Sequence, residues 1–277
     1  MSGLERVFND ILDRSSTKAN SSIECSICGV GVPALEIKIP GLELSRWVQP
    51  KCKCEVEAFD AEQLKFQEKQ ITSEVQRMFS TEQLGARLLN AKFSDFGNRK
   101  GSELAYKASF NYAKSFNPDN PTALILWGEP GNGKSLLAAC VNNEVRKLGH
   151  STIFVSMPDL LKKIKNTFNS GNKESEAEIL GALDKCKLLI IDDLGAEKTS
   201  DWVEELIFTI IDNRYRKKKP ILITSNLDPR MLSQKIGSRS TDRILEMCIE
   251  IKNEASSFRT QKAESMKEAM LRKLMEG

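Results

Sequence analysis

Hydrophobic and polar positions change their rhythm near residue 80. Downstream, short apolar runs rich in β-branched residues occur at Ala123–Trp127, Thr152–Val155, Leu188–Ile191, Ile221–Thr224 and Cys248–Ile251. Stretches with helical spacing separate most of them, at 134–148, 158–169, 174–185 and 201–216. Predominantly apolar strands alternating with helices predict an α/β fold: a central parallel sheet of about five strands flanked by helices. Upstream the pattern is different. Leu4, Val7, Phe8, Ile11 and Leu12 mark a short amphipathic helix, followed by a polar stretch. Residues 25–54 are rich in turn formers, with Gly29, Gly31, Pro33, Pro40, Gly41 and Pro50. Leu64, Ile71, Val75 and Met78 then return to helical spacing over 55–79. Two domains are expected, 1–79 and 80–277. The tail 260–277 reads as a charged helical or frayed segment.

Composition narrows the class. The 277 residues are 40% hydrophobic and 29% charged, with a net charge of +3. That is an ordinary globular mix, and so small an excess of positive charge does not by itself indicate nucleic-acid binding. No run approaches the roughly 20 apolar residues of a membrane span, and the N-terminus lacks the apolar core of a secretory signal. A reducing cytoplasm is the expected compartment.

Two segments carry the chemistry. Gly128, Glu129, Pro130, Gly131, Asn132, Gly133, Lys134 and Ser135 fit G-x-x-x-x-G-K-[ST] in full, and Leu136 opens a helix-forming stretch. The apolar run before them completes the strand–loop–helix setting of a phosphate loop. Glycines there let backbone N–H groups surround phosphates, helped by the helix N-terminus. Lys134 is expected to reach the β- and γ-phosphates of ATP and Ser135 to ligate Mg²⁺. The second segment, Lys187–Gly195, brings Asp192 to a strand end, where it would hold Mg²⁺ directly or through water. Asp193 would orient or deprotonate the attacking water. Ser225 and Asn226 end a further strand, as hydrogen-bond donors toward the γ-phosphate or the water, or as a turn.

Cys25-x₂-Cys28 and Cys52-x-Cys54 form a candidate Zn²⁺ site. Four thiolates close a tetrahedral site with no open position, and a small loop-rich region needs such a staple to fold. Free reduced cysteines are the alternative. Cys140, Cys186 and Cys248 fall in strands or helices and are expected in the core. His150 stands alone and is expected to be structural or exposed. Two basic clusters, Lys162/Lys163/Lys165 and Arg214/Arg216–Lys219 with Tyr215 among them, suit single-stranded DNA but equally suit solvated helix faces.

The phosphate loop, IIDDLG, TSN, GSRSTDR and SSFR occur in that order. Together they resemble the DnaC/DnaI replicative-helicase loaders, close to the IstB-type ATPases and within the AAA+ class, over roughly residues 80–260. The cysteine-bearing N-terminal region is similar to that of DnaI-type and phage-encoded loaders. The resemblance implies that Asn226 is the sensor-1 residue and that Arg259 contacts the γ-phosphate. It implies that Arg243, with Arg239 as a second candidate, is the arginine finger for a neighbouring subunit. It further implies an AAA+ ATPase that forms homo-oligomers and loads a hexameric replicative helicase onto single-stranded DNA in a bacterial cytoplasm, host- or phage-encoded, with residues 1–79 docking the helicase. Asp193 stands where many AAA+ proteins carry Glu, which points to slow, partner-regulated hydrolysis. An IstB-type transposition helper and an ATP-binding adaptor or inhibitor of a replication protein are the rival readings.

Overall fold

The computed structural model describes residues 21–38, 45–79, 85–97, 99–168 and 174–260, with a few isolated positions beyond. The expected N-terminal amphipathic helix and most of the tail lie outside the described residues. The chain divides into two compact units, Met1–Gln67 and Glu68–Gly277. The division falls inside a long helix, α1 (Lys53–Met78), whereas the sequence pattern put the domain boundary at 79/80.

In the first unit the turn-rich segment forms two antiparallel hairpins. β1 (Ser22–Glu24) pairs with β2 (Gly31–Pro33), and β3 (Leu35–Lys38) with β4 (Ser45–Val48). Among the described residues up to Gln67, only Cys25 and Ala34 are buried hydrophobics. So little apolar burial among the described residues cannot by itself offset the entropy of ordering them.

The second unit is a three-layer α/β/α domain. Its five strands are β5 (Ala123–Trp127), β6 (Thr152–Ser156), β7 (Leu188–Asp192), β8 (Ile221–Ser225) and β9 (Cys248–Lys252). Every pairing among them is parallel, in the order β6-β7-β8-β5-β9. Alternate residues feed two cores, because successive strand side chains point to opposite faces. Ile125, Ile153, Leu189, Ile191 and Ile223 pack on one side with Leu160, Ile164, Ile179, Leu183, Ile207 and Ile211. The helices supplying that layer are α5 (Met157–Asn166), α6 (Glu176–Lys185) and α7 (Asp201–Arg216). Leu124, Leu126, Leu188, Ile190 and Leu222 pack on the other side. That face is covered by α3 (Glu103–Lys114) and α4 (Lys134–Lys147), with α2 (Gly85–Leu89) beside α4.

The five expected strands and four expected helices all form. α3 is an addition whose buried positions include Ala105, Ser109 and Ala113, small residues that leave little apolar periodicity to read. The 233–247 stretch adds α8 (Ser233–Ile236) and α9 (Ser238–Met247). Cys140, Cys186 and Cys248 are buried and free, as expected. His150 is partly exposed and sets its ring edge-on against Phe116, with centroids 5.4 Å apart.

Candidate functional site: a phosphate loop facing an acidic strand end

The strand order decides the site. β8 lies between β7 and β5, so the carboxyl ends of three adjacent strands present Asp192, Thr224 and the 128–135 loop together. Ligands bind at such ends because loops and helix N-termini there leave polar groups unpaired. A cavity of about 530 Å³ opens at this point. Its lining includes Pro130 to Leu136, Asp192, Asp193, Thr224, Asn226 and Arg259, with Phe96, Arg99 and Phe258 beside the loop.

The loop is closed around its own lysine. Lys134 Nζ donates to the carbonyls of Gly128 at 2.7 Å and Glu129 at 2.8 Å, and to Asn132 Oδ1 at 3.1 Å. Gly128 and Glu129 thus contribute carbonyls rather than lining. Burial lowers the ammonium pKa to about 8, against the pull of Asp193 and Asp192. Loop carbonyls and Asn132 thus hold the ammonium that would otherwise meet phosphate.

The acidic end is equally ordered. Thr224 Oγ1 donates to Asp192 Oδ1 at 2.6 Å and accepts the Asp193 amide at 2.9 Å. Burial raises the Asp192 carboxyl, while bonds from Thr224 and Ser135 act the other way. Asp193 adopts φ 59°, a left-handed conformation uncommon among non-glycine residues, which Asp reaches more readily than most and in which its neighbours constrain it. The constraint is visible: Leu194 N donates to Thr224 O, Ser225 Oγ to Leu194 O, and Glu197 accepts the Gly195 amide. Asn226 Nδ2 donates to Asp193 Oδ1 at 2.6 Å. Asp192, Asp193, Ser135 and Asn226 are therefore gathered around one cavity. Sequence reasoning gave no role to Thr224, although it opens the TSN segment, nor to Arg99, which carried no signal.

Arg259 lines the same cavity, but Arg239 and Arg243 are absent from its lining. Arg239 lies 3.9 Å over the Phe208 ring. Arg243 lies 4.4 Å over Tyr215 and donates to Asp212 at 3.3 Å.

A second cluster lies wholly in the first unit. The sulfurs of Cys25, Cys28, Cys52 and Cys54 fall within 4.8 Å of one another, with Cys25 and Cys54 at 3.2 Å. The β1–β2 turn supplies the first pair, and the start of α1 supplies the second. The tighter x spacing of Cys52 and Cys54 works because the chain turns into the helix between them. The Ile27 amide donates to Cys25 Sγ at 3.4 Å, and amides of this turn, Cys28 foremost, hold the Cys25 thiol down at about 7. Four converging sulfurs, with backbone amides lowering the Cys25 thiol, fit a tetrahedral soft-metal site.

A model of the family described as IstB-like ATP binding protein matches residues 64–266. The chain belongs to that family. It is an ATP-binding α/β protein of the AAA+ class, and its relatives narrow the comparison. It is 33% identical to the replicative helicase loader DnaC of Buchnera aphidicola over 171 residues, 61% of this chain and 69% of the relative. A crystal structure of the DnaC helicase loader superposes with a TM-score of 0.56 at 27% identity, covering 61% of this chain and all of that one. AMPPCP-bound DnaA from Aquifex aeolicus shares the fold, with a TM-score of 0.53 at 23% identity over 66% and 57% of the two chains. No described helix is long and apolar enough to cross a membrane.

One sequence expectation needs correction. Arg214 cannot contribute to a basic surface, because it is 1% exposed. Its guanidinium donates to the carbonyls of Leu183, Cys186, Lys187 and Pro220, pinning the end of α6 to the strand starts. Around it, Lys217 pairs with Asp184, and the Tyr215 hydroxyl donates to Glu246. The cluster is built mainly for internal pairing.

Proposed function

We propose that this protein is an ATP-dependent loader of a replicative DNA helicase onto single-stranded DNA during initiation of replication. The observation that carries the reading is the pairing of a phosphate loop with Asp192, Asp193 and Asn226 on adjacent strand ends, in a chain 33% identical to a loader. Ser135 and Asp192 would hold Mg²⁺, which neutralises phosphate charge when bound. Asp193, oriented by Asn226, would position the attacking water. Arg259 would meet the γ-phosphate from its own chain. Arg239, held over the Phe208 ring away from its own cavity, and Arg243, which would first have to leave Asp212 and Glu246, would serve a neighbouring subunit's ATP in a homo-oligomer. Slow hydrolysis then acts as a release switch. A bacterial or phage-infected cytoplasm is the matching compartment.

The first region, put at 1–79 on sequence, would be the helicase-docking domain, with Zn²⁺ held by Cys25, Cys28, Cys52 and Cys54. Its exposed Ile23, Ile27, Val30, Phe59 and Leu64 are unusual in so small a unit and suit a protein partner. For DNA, the better-supported surface is the end of α5. Phe168 is 60% exposed and edge-on to Trp202, whose ring also carries Lys165 at 5.2 Å, with Lys162 exposed nearby. Aromatic faces interleaved with cations stack bases and track phosphates.

Affinity capture with the full chain and a non-hydrolysable ATP analogue tests the reading. A co-purifying hexameric helicase supports it. A co-purifying transposase selects the IstB-type helper instead. An Asp193→Asn protein that retains full biological activity selects the non-hydrolysing adaptor.

A further inference from the structure

Two buried asparagines join the phosphate loop to the segment that carries Arg259. Asn132 Nδ2 donates to Asn253 O at 2.7 Å, and Asn253 Nδ2 donates back to Asn132 O at 3.1 Å. Both residues are almost fully buried, at 0% and 1% exposure. β5 and β9 run parallel with Trp127 opposite Lys252, so the first residues past the two strands meet face to face. Glycine at 128 is required by this approach, since a Cβ there would stand 2.4 Å from Asn253 O. Further links follow along the chain. Phe258 N donates to Gly131 O at 2.9 Å, and Arg99 bridges Asn132 O at 2.6 Å and Ser256 O at 3.4 Å. Residues 253–259 thus form a strap over the outer side of the loop, ending in Phe258 and Arg259 at the cavity.

Asn132 also faces inward, where its Oδ1 accepts the Lys134 ammonium. One side chain therefore touches both the lysine that must meet phosphate and the root of the strap. Such polar pairs are costly to break when buried, because each amide left unpaired carries its desolvation penalty.

We infer that Asn132 and Asn253 are positioning residues that lock the 253–259 strap to the phosphate loop, so that any nucleotide ordering the loop also orders the strap and sets Arg259. The inference rests on the nucleotide-binding reading and adds a route: coupling runs through the loop and is already complete with a diphosphate. If Arg259 alone sensed the ligand, only a γ-phosphate would order the strap. Coupling is reciprocal, so loosening the strap weakens nucleotide binding.

Hydrogen exchange of the full-length protein, read on peptides spanning 253–260 with and without saturating ADP and Mg²⁺, tests this. ADP should slow exchange there in the wild type. Asn253→Ala should bind ADP about tenfold more weakly, as loss of one or two such bonds implies, and at saturation should show no slowing. Asn253→Asp keeps the acceptor for the Ala255 amide but loses the donor to Asn132. It should fail as Asn253→Ala does, whereas wild-type behaviour would reduce Asn253 to a turn residue and overturn the inference. ADP that binds the wild type yet leaves 253–260 unchanged overturns it without any variant. If ADP does not bind at all, the nucleotide reading itself fails, and the inference with it.

Discussion

Asn226 holds Asp193 by a 2.6 Å hydrogen bond from its side-chain amide to Oδ1, across the ends of two neighbouring parallel strands. Asp193 leaves β7 with a left-handed backbone, so its carboxylate direction is fixed by φ at one end and by Asn226 at the other. Removing the amide should free the carboxylate without disturbing the phosphate loop. Asn226→Ala is expected to keep ATP affinity within about threefold while slowing hydrolysis some 10²-fold, in the range typical of a displaced general base. Single-turnover kinetics beside equilibrium binding measure both. Equal losses in affinity and rate would contradict the assigned geometry.

Thr224 is the hinge of the acidic end, because one hydroxyl serves both Asp192 and the Asp193 amide. Thr224→Val keeps the shape and deletes both bonds. The protein should lose about 2 kcal/mol of stability, from two bonds near 1 kcal/mol each. Its Mg²⁺-dependent ATP affinity should also fall, as the orientation of Asp192 is lost. Urea unfolding, with ATP titrations at varied Mg²⁺, checks the two effects separately.

Asp212 supplies a pH signature. Arg216, and after it Arg243, hold its carboxyl below the ordinary carboxylate value, against the opposing effect of burial. A depressed acid stabilises the fold above its unfolded pKa, near 3.9, and that contribution disappears as pH falls through the folded value. Asp212→Asn should therefore have a lower Tm than wild type at pH 7, and the difference should close below about pH 4. Differential scanning calorimetry across pH reads it. A difference that persists unchanged into acid would show that packing, rather than charge, is lost.

Metal removal should act on the first unit alone. With so few buried apolar side chains among its described residues, the four-cysteine site is expected to supply most of the folding free energy of that part. The purified protein should carry one Zn²⁺ per chain by elemental analysis. Chelation, or Cys28→Ser, should raise hydrogen exchange across residues 21–52 while leaving ATP binding intact. An unchanged exchange pattern after metal loss would remove the structural role.

Much of this protein was legible in its sequence because the signals are local. The inner strands β5, β7 and β8 announced themselves as nearly continuous apolar runs, since strands buried on both faces carry little alternation, while the edge strands β6 and β9 showed shorter, mixed runs. The Gly128–Ser135 loop and the cysteine pairs were readable because their chemistry demands fixed residue types at fixed spacing. Tertiary structure alone decided what lies across the chain. β8's place between β7 and β5 put Thr224 on Asp192 and Asn226 on Asp193. The alignment of β5 with β9 brought Asn132 to Asn253, residues whose spacing carries no pattern. Arg214, which looks like a surface cation in sequence, became a buried pin because four main-chain carbonyls converge on it. Residue type and spacing record which chemistry is available. Partners are chosen by strand order and register, which arise from the packing of the whole sheet.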